Sequence, residues 1–564
     1  MNWSDKKGVQ HLVAICAEKD VKHVVISPGS RNAPITISFN RYPGIEAIVI
    51  PDERVAAFFA LGIAQKTDKP VALVCTSGSA MLNYSPALVE AYYAHIPLIV
   101  LTADRPGFWI DKREGQSIRQ QSAYGDFVKG RFNLPMESGD SKLLEELDEK
   151  VNKAINLATS GNKGPVHINV PLDEPLYDLT ELKDVRFNVF EKKTSESSLD
   201  ERFWVNINKE LEKYNKVMVL VGQSKKDNVP SEKLEALLAS EKVVVLSECT
   251  SNFIGGKKVG CIDRNIMAID DHDWDRFQPE LLITIGGAIV SKKIKQRLRQ
   301  EGVKGHWHVS EFDGEIDTFS HLSKVVECDA KMFFDQTDFS DTSHEFFRLW
   351  DDHNESTRKA HHEIIKKLSY SDMAVFKNIL DVIPDNSQVH LANSSPVRYA
   401  QLFDHRSDLH FFGNRGVSGI DGSTSTAMGA AYVSDGPVSM ITGDMSFFYD
   451  SNAFWHKQVP SNFKCIVINN GGGGIFRIIQ GPDEVDELEE FFEVHQENKV
   501  DKIAEAYGID YLKAENLEEL SLRLKELYKK KDTACILEVV TPRDINSEVL
   551  KDYFTKIKSI KDEY

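Results

Sequence analysis

The sequence predicts an α/β protein of three domains, each with a mostly parallel sheet flanked by helices, and with similar first and third domains. Three observations support this. Short β-branched runs alternate with helix-period segments along the chain; 564 residues exceed what a single core covers; and two distant stretches repeat one layout.

In the first domain, residues 1–185, "HVVISP" (23–28), "EAIVI" (46–50), "VALVC" (71–75), "PLIVLTA" (97–103) and "VHINVP" (166–171) read as buried strands. The polar stretch "FEKKTSESSLDE" (190–201) reads as a linker. A central domain, 190–345, carries "KVMVLVG" (216–222), "KVVVLSE" (242–248), "LLITIGG" (281–287) and "HWHVSE" (306–311). The charged stretch "HEFFRLWDDHNESTRKAHHEIIKKL" reads as a solvated helix between domains, with His361 and His362 in water. The third domain, 370–564, contains "QVHLAN" (388–393), "PVSMITG" (437–443), "FKCIVIN" (463–469) and "ACILEVV" (534–540). The repeat pairs "GIAQKTDKPVALVCTSGSAMLNYSPALVEA" (62–91) with "GAAYVSDGPVSMITGDMSFFYDSNAFWHKQ" (429–458): helix end, Pro-Val strand, Thr-Gly turn, helix. It implies an ancient duplication.

A net charge of −18 opposes non-specific binding to nucleic acid or anionic membranes, so anionic ligands need local arginine and lysine clusters. No apolar run approaches the ~20 residues of a membrane span, and "MNWSDKKGVQ" lacks the apolar core of a signal peptide. The expected location is the cytoplasm. Seven scattered cysteines without a C-x-x-C pair are expected to be buried free thiols.

Ligands of open α/β sheets sit outside the carboxyl ends of the strands. There "TGDMS" offers the Asp444 carboxylate, "NNGGGG" the Asn470 amide oxygen, and the glycine run bare main-chain carbonyls. A hard cation such as Mg²⁺ takes oxygens of this kind and keeps phosphate oxygens beside them. Helices are expected to start after Gly443 and Gly472 and to present N–H groups to the same phosphates. No G-x-x-x-x-G-K-[ST] and no strand-linked G-x-G-x-x-G occurs.

Gly443-Asp444 followed by Asn469-Asn470 resembles the diphosphate and metal signature of thiamine-diphosphate enzymes. The resemblance implies a pyrimidine-binding, a central and a diphosphate-binding domain. It also implies Mg²⁺ (or Mn²⁺) held by Asp444, Asn470 and the Gly472 carbonyl, and Glu53 as the glutamate that a partner subunit presents to the cofactor's pyrimidine ring. "SPGSRNAP" (27–34), "TADRP" (102–106), "GQSIRQ" (115–120), "SKK" (291–293), "NSSPVR" (393–398), "GNRGVSGIDGSTSTAMG" (413–429) and "GIF" (474–476) resemble the 2-succinyl-5-enolpyruvyl-6-hydroxy-3-cyclohexene-1-carboxylate synthases of menaquinone biosynthesis. This resemblance runs from near residue 10 to about residue 545. It implies decarboxylation of 2-oxoglutarate and addition of the resulting succinyl-semialdehyde carbanion to isochorismate, with release of CO₂.

By position in those motifs, Ser30, Arg31, Arg105, Gln116, Lys292, Lys293, Ser394 and Arg398 bind the substrates, with Arg31 and Arg398 also catalytic alongside Glu53. Arginine suits carboxylates through its two-pronged donor geometry. Ser394, Arg415, Ser418, Ile420, Gly443, Ser446 and Phe476 contact the cofactor, Ile420 as the apolar wedge that bends it. A site shared between chains implies a homo-oligomer, dimer or tetramer. The other readings are another thiamine-diphosphate 2-keto-acid decarboxylase or synthase, and a cofactor-binding paralogue without catalysis.

Overall fold

The computed structural model describes residues 2–136, 140–183, 186–191, 199–224, 232–253, 256–301, 303–312, 314–479 and 481–560. Most of the linker read at 190–201 lies outside them. An amino-terminal strand β1 (Asn2–Ser4) begins the chain. Strands β2 (His23–Ile26), β3 (Glu46–Val49), β4 (Val71–Cys75), β5 (Leu98–Asp104), β6 (Arg131–Asn133) and β7 (Val166–Pro171) form a parallel sheet in the order β3-β2-β4-β5-β7-β6. Then β8 (Leu179–Glu181) returns to pair with β1, antiparallel.

The second sheet is parallel, in the order β10-β9-β11-β12-β13, from β9 (Val217–Val221), β10 (Val244–Ser247), β11 (Leu281–Ile285), β12 (Gly305–Val309) and β13 (Leu322–Val326). The third contains β14 (Gln388–Leu391), β15 (His410–Phe412), β16 (Val438–Gly443), β17 (Phe463–Asn469), β18 (Asp510–Ala514) and β19 (Cys535–Val540). Its order, β15-β14-β16-β17-β19-β18, is strand for strand that of the first sheet. The repeat seen in the sequence is therefore a repeat of topology. Central strands such as β4 and β5 are buried throughout, as two helix-covered faces require.

Two helices join the outer domains. Glu53–Thr67 starts at Asp52, whose side chain accepts from the backbone N–H of Arg54 at 2.9 Å and of Val55 at 3.3 Å. It lies against Ser423–Tyr432 with backbone nearly touching backbone. A Cβ on Gly62 would stand 2.0 Å from the Thr426 carbonyl oxygen, and one on Gly429 would stand 2.0 Å from that of Phe59. Polar contacts continue the seam: Asn452 donates to Asp52 at 2.8 Å, and Arg54 donates to the Tyr449 carbonyl at 2.8 Å.

The charged stretch forms the helix His344–Ile365, but it is not solvated all round. His361 is 1% exposed and bonded through Nδ1 to the Tyr553 hydroxyl at 2.7 Å, because that face packs on the helix Asn546–Ile560. Burial pushes its imidazole down to about 3, so it is neutral. His362 faces water and meets Asp404 at 3.1 Å. All seven cysteines are buried and unpaired. No helix among the described residues is long and apolar enough to cross a membrane.

The glycine contact sets a test. Gly429→Ala forces the two helices apart, an overpacking that costs roughly 1–3 kcal/mol. A lower thermal midpoint is expected, and an unchanged midpoint would contradict the close packing.

Candidate active site at the strand ends

Gly443 ends β16, and Asp444 opens the next helix, Asp444–Tyr449, 1% exposed. Its Oδ2 accepts from Gln496 Nε2 at 2.7 Å and its Oδ1 from the Met445 N–H at 2.8 Å. Burial pushes the carboxyl up to about 6, with the Asp372 charge adding to the shift and these donors opposing it. At the end of β17, Asn470 Nδ2 donates to Asp372 Oδ2 at 3.0 Å, which leaves its carbonyl oxygen as the free end of the amide. The buried carboxylate, the oriented amide oxygen and the adjoining glycine backbone are the donor types a hard cation takes, so the residues present fit Mg²⁺.

The expected helices here are reduced to six residues after Gly443 and to a 3₁₀ turn, Gly474–Arg477, beyond Gly472. Nor is a cation needed to explain the glycines. Gly471 and Gly472 have φ of +80° and +151°, and a Cβ on Gly472 would stand 2.7 Å from the Glu493 carbonyl oxygen. The run is stitched to the segment 489–496: Gly473 N–H donates to Glu493 at 2.6 Å and Gln496 N–H to Gly471 at 3.1 Å. Arg477 and Arg543 grip the buried Glu493 carboxylate and hold it down at about 2 against the cost of burial. Phe476 packs on Phe492, ring centroids 5.8 Å apart.

The cofactor residues expected on 413–420 sit in a loop that buried polar side chains fasten. Asn393 donates to the carbonyls of Asn414 at 2.7 Å and Gly419 at 2.6 Å, and accepts from Arg415 at 2.6 Å. Glu90, from the first domain, accepts from the N–H groups of Gly416 at 2.7 Å and Val417 at 2.8 Å. Ser446 donates to the Ile420 carbonyl at 2.6 Å, so its hydroxyl positions the loop, while the Ile420 side chain is 38% exposed. Ser394 at φ +73° and Ser418 at φ +63° hold backbone conformations that L-residues avoid. Such strain costs about 1–3 kcal/mol each and persists where neighbours enforce it.

Lys292, Lys293 and Arg398 come together in one cavity of about 510 Å³, closed by Ile475, Ile478, Leu550 and Phe554, with Asp263 the single carboxylate in its wall. The serine in that wall is Ser395 rather than Ser394. Lys292 and Lys293 are exposed and begin the helix Lys292–Glu301. Just before them, the N–H groups of Val290 and Ser291 both donate to Glu248 at 2.7 Å. Burial pushes that carboxyl up to about 7, its two N–H donors opposing. Arg398 Nε and Arg415 Nε are buried without a hydrogen-bond partner among the described residues. Two unpaired guanidinium donors are what an anionic ligand would satisfy.

The first-domain residues form a separate rim. Glu53 is half-buried and accepts from Asn83 at 3.1 Å. Arg31 is buried, donates to the Leu172 carbonyl at 3.1 Å and faces Glu174 at 3.3 Å. Arg105 Nε donates to the Gly115 carbonyl at 2.8 Å, beside the exposed Gln116, and Ser30 is exposed. Beneath them Gln120 ties Gly78 N–H to Asn169, which donates to Asp104 at 2.8 Å. Every residue lining the 510 Å³ cavity comes from position 263 or beyond, so this rim does not reach it within the chain.

Sequence reasoning missed Glu90, Glu248, Asp372, Asn393 and Gln496. Asn393 opens the quoted "NSSPVR", Glu248 closes the quoted "KVVVLSE", and Glu90 is a lone acid in the apolar "PALVEAYYA"; Asp372 and Gln496 carry no local signal.

Comparison with known proteins agrees with this architecture. Family profiles match residues 6–123 (thiamine pyrophosphate enzyme, N-terminal TPP binding domain), 195–391 (middle domain of thiamine pyrophosphate) and 394–539 (C-terminal TPP binding domain). The 2-succinyl-5-enolpyruvyl-6-hydroxy-3-cyclohexene-1-carboxylate synthase of Christiangramia forsetii is 43% identical, covering 99% of this chain and 100% of that protein. The synthase of the same name from Flavobacterium johnsoniae is 42% identical over 97% and 98%, and that from Porphyromonas gingivalis is 39% identical over 99% and 98%. With its three thiamine-enzyme domains and full-length identity to these synthases, the chain belongs to the 2-succinyl-5-enolpyruvyl-6-hydroxy-3-cyclohexene-1-carboxylate synthase family of thiamine-diphosphate enzymes.

Proposed function

We propose that the chain joins 2-oxoglutarate to isochorismate, with loss of CO₂, in menaquinone biosynthesis. The observation that carries this reading is the cavity in which Lys292, Lys293 and Arg398 face one carboxylate. Both substrates are dianions, and in a protein of net charge −18 such a cluster needs a reason. Thiamine diphosphate, when bound, supplies the carbanion chemistry that decarboxylates a 2-oxo acid and forms the new carbon–carbon bond.

The chain's own groups bind and orient. Asp444, Asn470 and the Gly472 carbonyl would hold Mg²⁺ or Mn²⁺. Ser394, Ser418, Ile420 and Phe476 bound the cofactor, Ile420 from a loop fixed by Ser446, Asn393 and Glu90. Arg398, Lys292 and Lys293 pair with substrate carboxylates, and the apolar wall from Ile475 to Phe554 excludes water, which strengthens those pairs.

Glu53, Ser30, Arg31, Arg105 and Gln116 would reach the site from a second copy, Glu53 as the group that would bind the cofactor's pyrimidine. Exposed apolar side chains lie by the start of the Glu53 helix, Leu82 beside Asn83 and Tyr449 under Arg54, and Val417 is exposed on the loop held by Glu90. A surface of this kind fits a subunit interface. The enzyme works in the cytoplasm as a dimer or a tetramer, a compartment that suits seven free thiols.

Spectroscopic assay should show isochorismate consumed only when 2-oxoglutarate, thiamine diphosphate and Mg²⁺ are all present; consumption without 2-oxoglutarate, or none with it, refutes the assignment. Glu53→Gln should lower turnover by ~10²–10⁴-fold with an unchanged melting midpoint.

Glu53→Gln and Asp444→Ala are each expected to be inactive. Their co-expressed mixture should regain roughly a quarter of wild-type activity, because half the dimers carry one intact shared site of two. No recovery would place Glu53 in the same chain's site.

Metal binding needs the Asp444 carboxylate ionised, and its carboxyl lies at about 6. Mg²⁺ affinity, by calorimetry, should therefore fall as pH drops through about 6 rather than near the ordinary 3.8. Without metal the stability effect is opposite in sign. The folded state holds this proton more tightly than the unfolded chain, so the contribution is present at low pH and lost as pH rises through about 6.

A further inference from the structure

An asparagine side chain presents either its oxygen or its nitrogen with almost the same shape, and only the hydrogen-bond partners decide which. As a metal ligand only the oxygen serves. At Asn470 the choice is made by a residue nearly a hundred positions away in the sequence. Asp372, 2% exposed, accepts Asn470 Nδ2 on Oδ2 at 3.0 Å and the Thr541 hydroxyl on Oδ1 at 2.6 Å. Its own N–H donates to Asn546 Oδ1 at 2.8 Å.

Two other elements thus fasten Asp372 at the start of its helix Asp372–Val382: Thr541, in the turn after β19, holds its carboxylate, and Asn546, at the start of the helix Asn546–Ile560, holds its backbone N–H. The Thr541 N–H also donates to the Asn469 carbonyl at 3.0 Å, which ties that turn to the residue before Asn470. Burial raises the Asp372 carboxyl and its hydrogen-bond donors oppose the shift; with Oδ1 already accepting from Thr541, a reversed amide would set the Asn470 oxygen against Oδ2.

We infer that Asp372 is a positioning residue for the metal centre: it turns the amide of Asn470 so that the oxygen is offered to the cation. The inference rests on the reading of Asn470 as a ligand and adds the group that enforces it. Outer partners of metal ligands commonly matter by ~10–100-fold in affinity. Sequence reasoning could not reach it, since Asp372 beside Ser371 reads as ordinary helix capping.

The test is calorimetric titration of Mg²⁺ into the full-length protein with thiamine diphosphate present, without recourse to turnover. Asp372→Asn should weaken Mg²⁺ binding by ~10–100-fold, because its amide can donate to Asn470 and release the orientation. The exchange Asp372→Asn with Asn470→Asp restores a donor facing an acceptor and should recover most of the loss, which a merely structural role for Asp372 would not produce. Thr541→Val leaves the carboxylate but removes one of its fastenings, and a smaller loss is expected. If wild type shows Mg²⁺-dependent binding and Asp372→Asn matches it, the inference alone fails. If Asp372→Asn does not fold, wild-type affinity in Thr541→Val together with weak binding in the folded exchange variant overturns it. If wild type itself shows no Mg²⁺ dependence, the reading of the site fails and this inference fails with it.

Discussion

The contact between the helices Glu53–Thr67 and Ser423–Tyr432 is the constraint on which the rest is built. Glycine on each side lets two backbones approach to distances no side chain permits. The dispersion gained there is collective, and it fixes one domain against another more rigidly than exposed ion pairs could. Because the first helix begins at Glu53 and the second follows the loop carrying Ser418 and Ile420, one packing contact sets where both loops begin. Glu90 and Asp52 then add polar fastenings whose donors and acceptors are all on opposite sides of the seam.

A second theme is the buried carboxylate used as a clamp. Glu90, Glu248 and Glu493 are each 1–2% exposed, and each organises a neighbouring segment: the 416–417 loop, the turn before Lys292, and the strap over the glycine run. Burying a charge is costly unless several donors satisfy it. Glu493 has two arginines and stays ionised; Glu248 has backbone N–H groups and is pushed up to about 7. Partner charge contributes to the difference, since a full positive charge offsets desolvation better than amide dipoles do.

The β-branched runs announced the main strands, since a doubly covered parallel sheet makes continuous apolar stretches. Six strands escaped notice: Asn2–Ser4, Arg131–Asn133, Leu179–Glu181 and His410–Phe412 are three residues long, and Leu322–Val326 and Asp510–Ala514 are edge strands with mixed polarity. The site divides the same way. Lys292, Lys293 and Arg398 were legible from motifs, and the structure brings them to one cavity. Asp372 and Gln496 act through hydrogen bonds across long sequence separations, and no local pattern records such a partner. At Gly472 the backbone freedom serves contact with the Glu493 carbonyl, a partner beyond any window centred on the run. His361 was misread because a charged stretch hides the face that packs on Tyr553.

The helix Asn546–Ile560 walls the cavity with Leu550 and Phe554, holds His361 through Tyr553, and at its first residue fastens Asp372. These residues leave the ribosome after both six-stranded sheets have been made. Domains generally fold as they emerge, amino-terminal first. A helix made after those strands is thus the one that walls the cavity and fastens Asp372. A nascent chain can therefore complete its three sheets while the cavity still lacks the wall that Leu550 and Phe554 form.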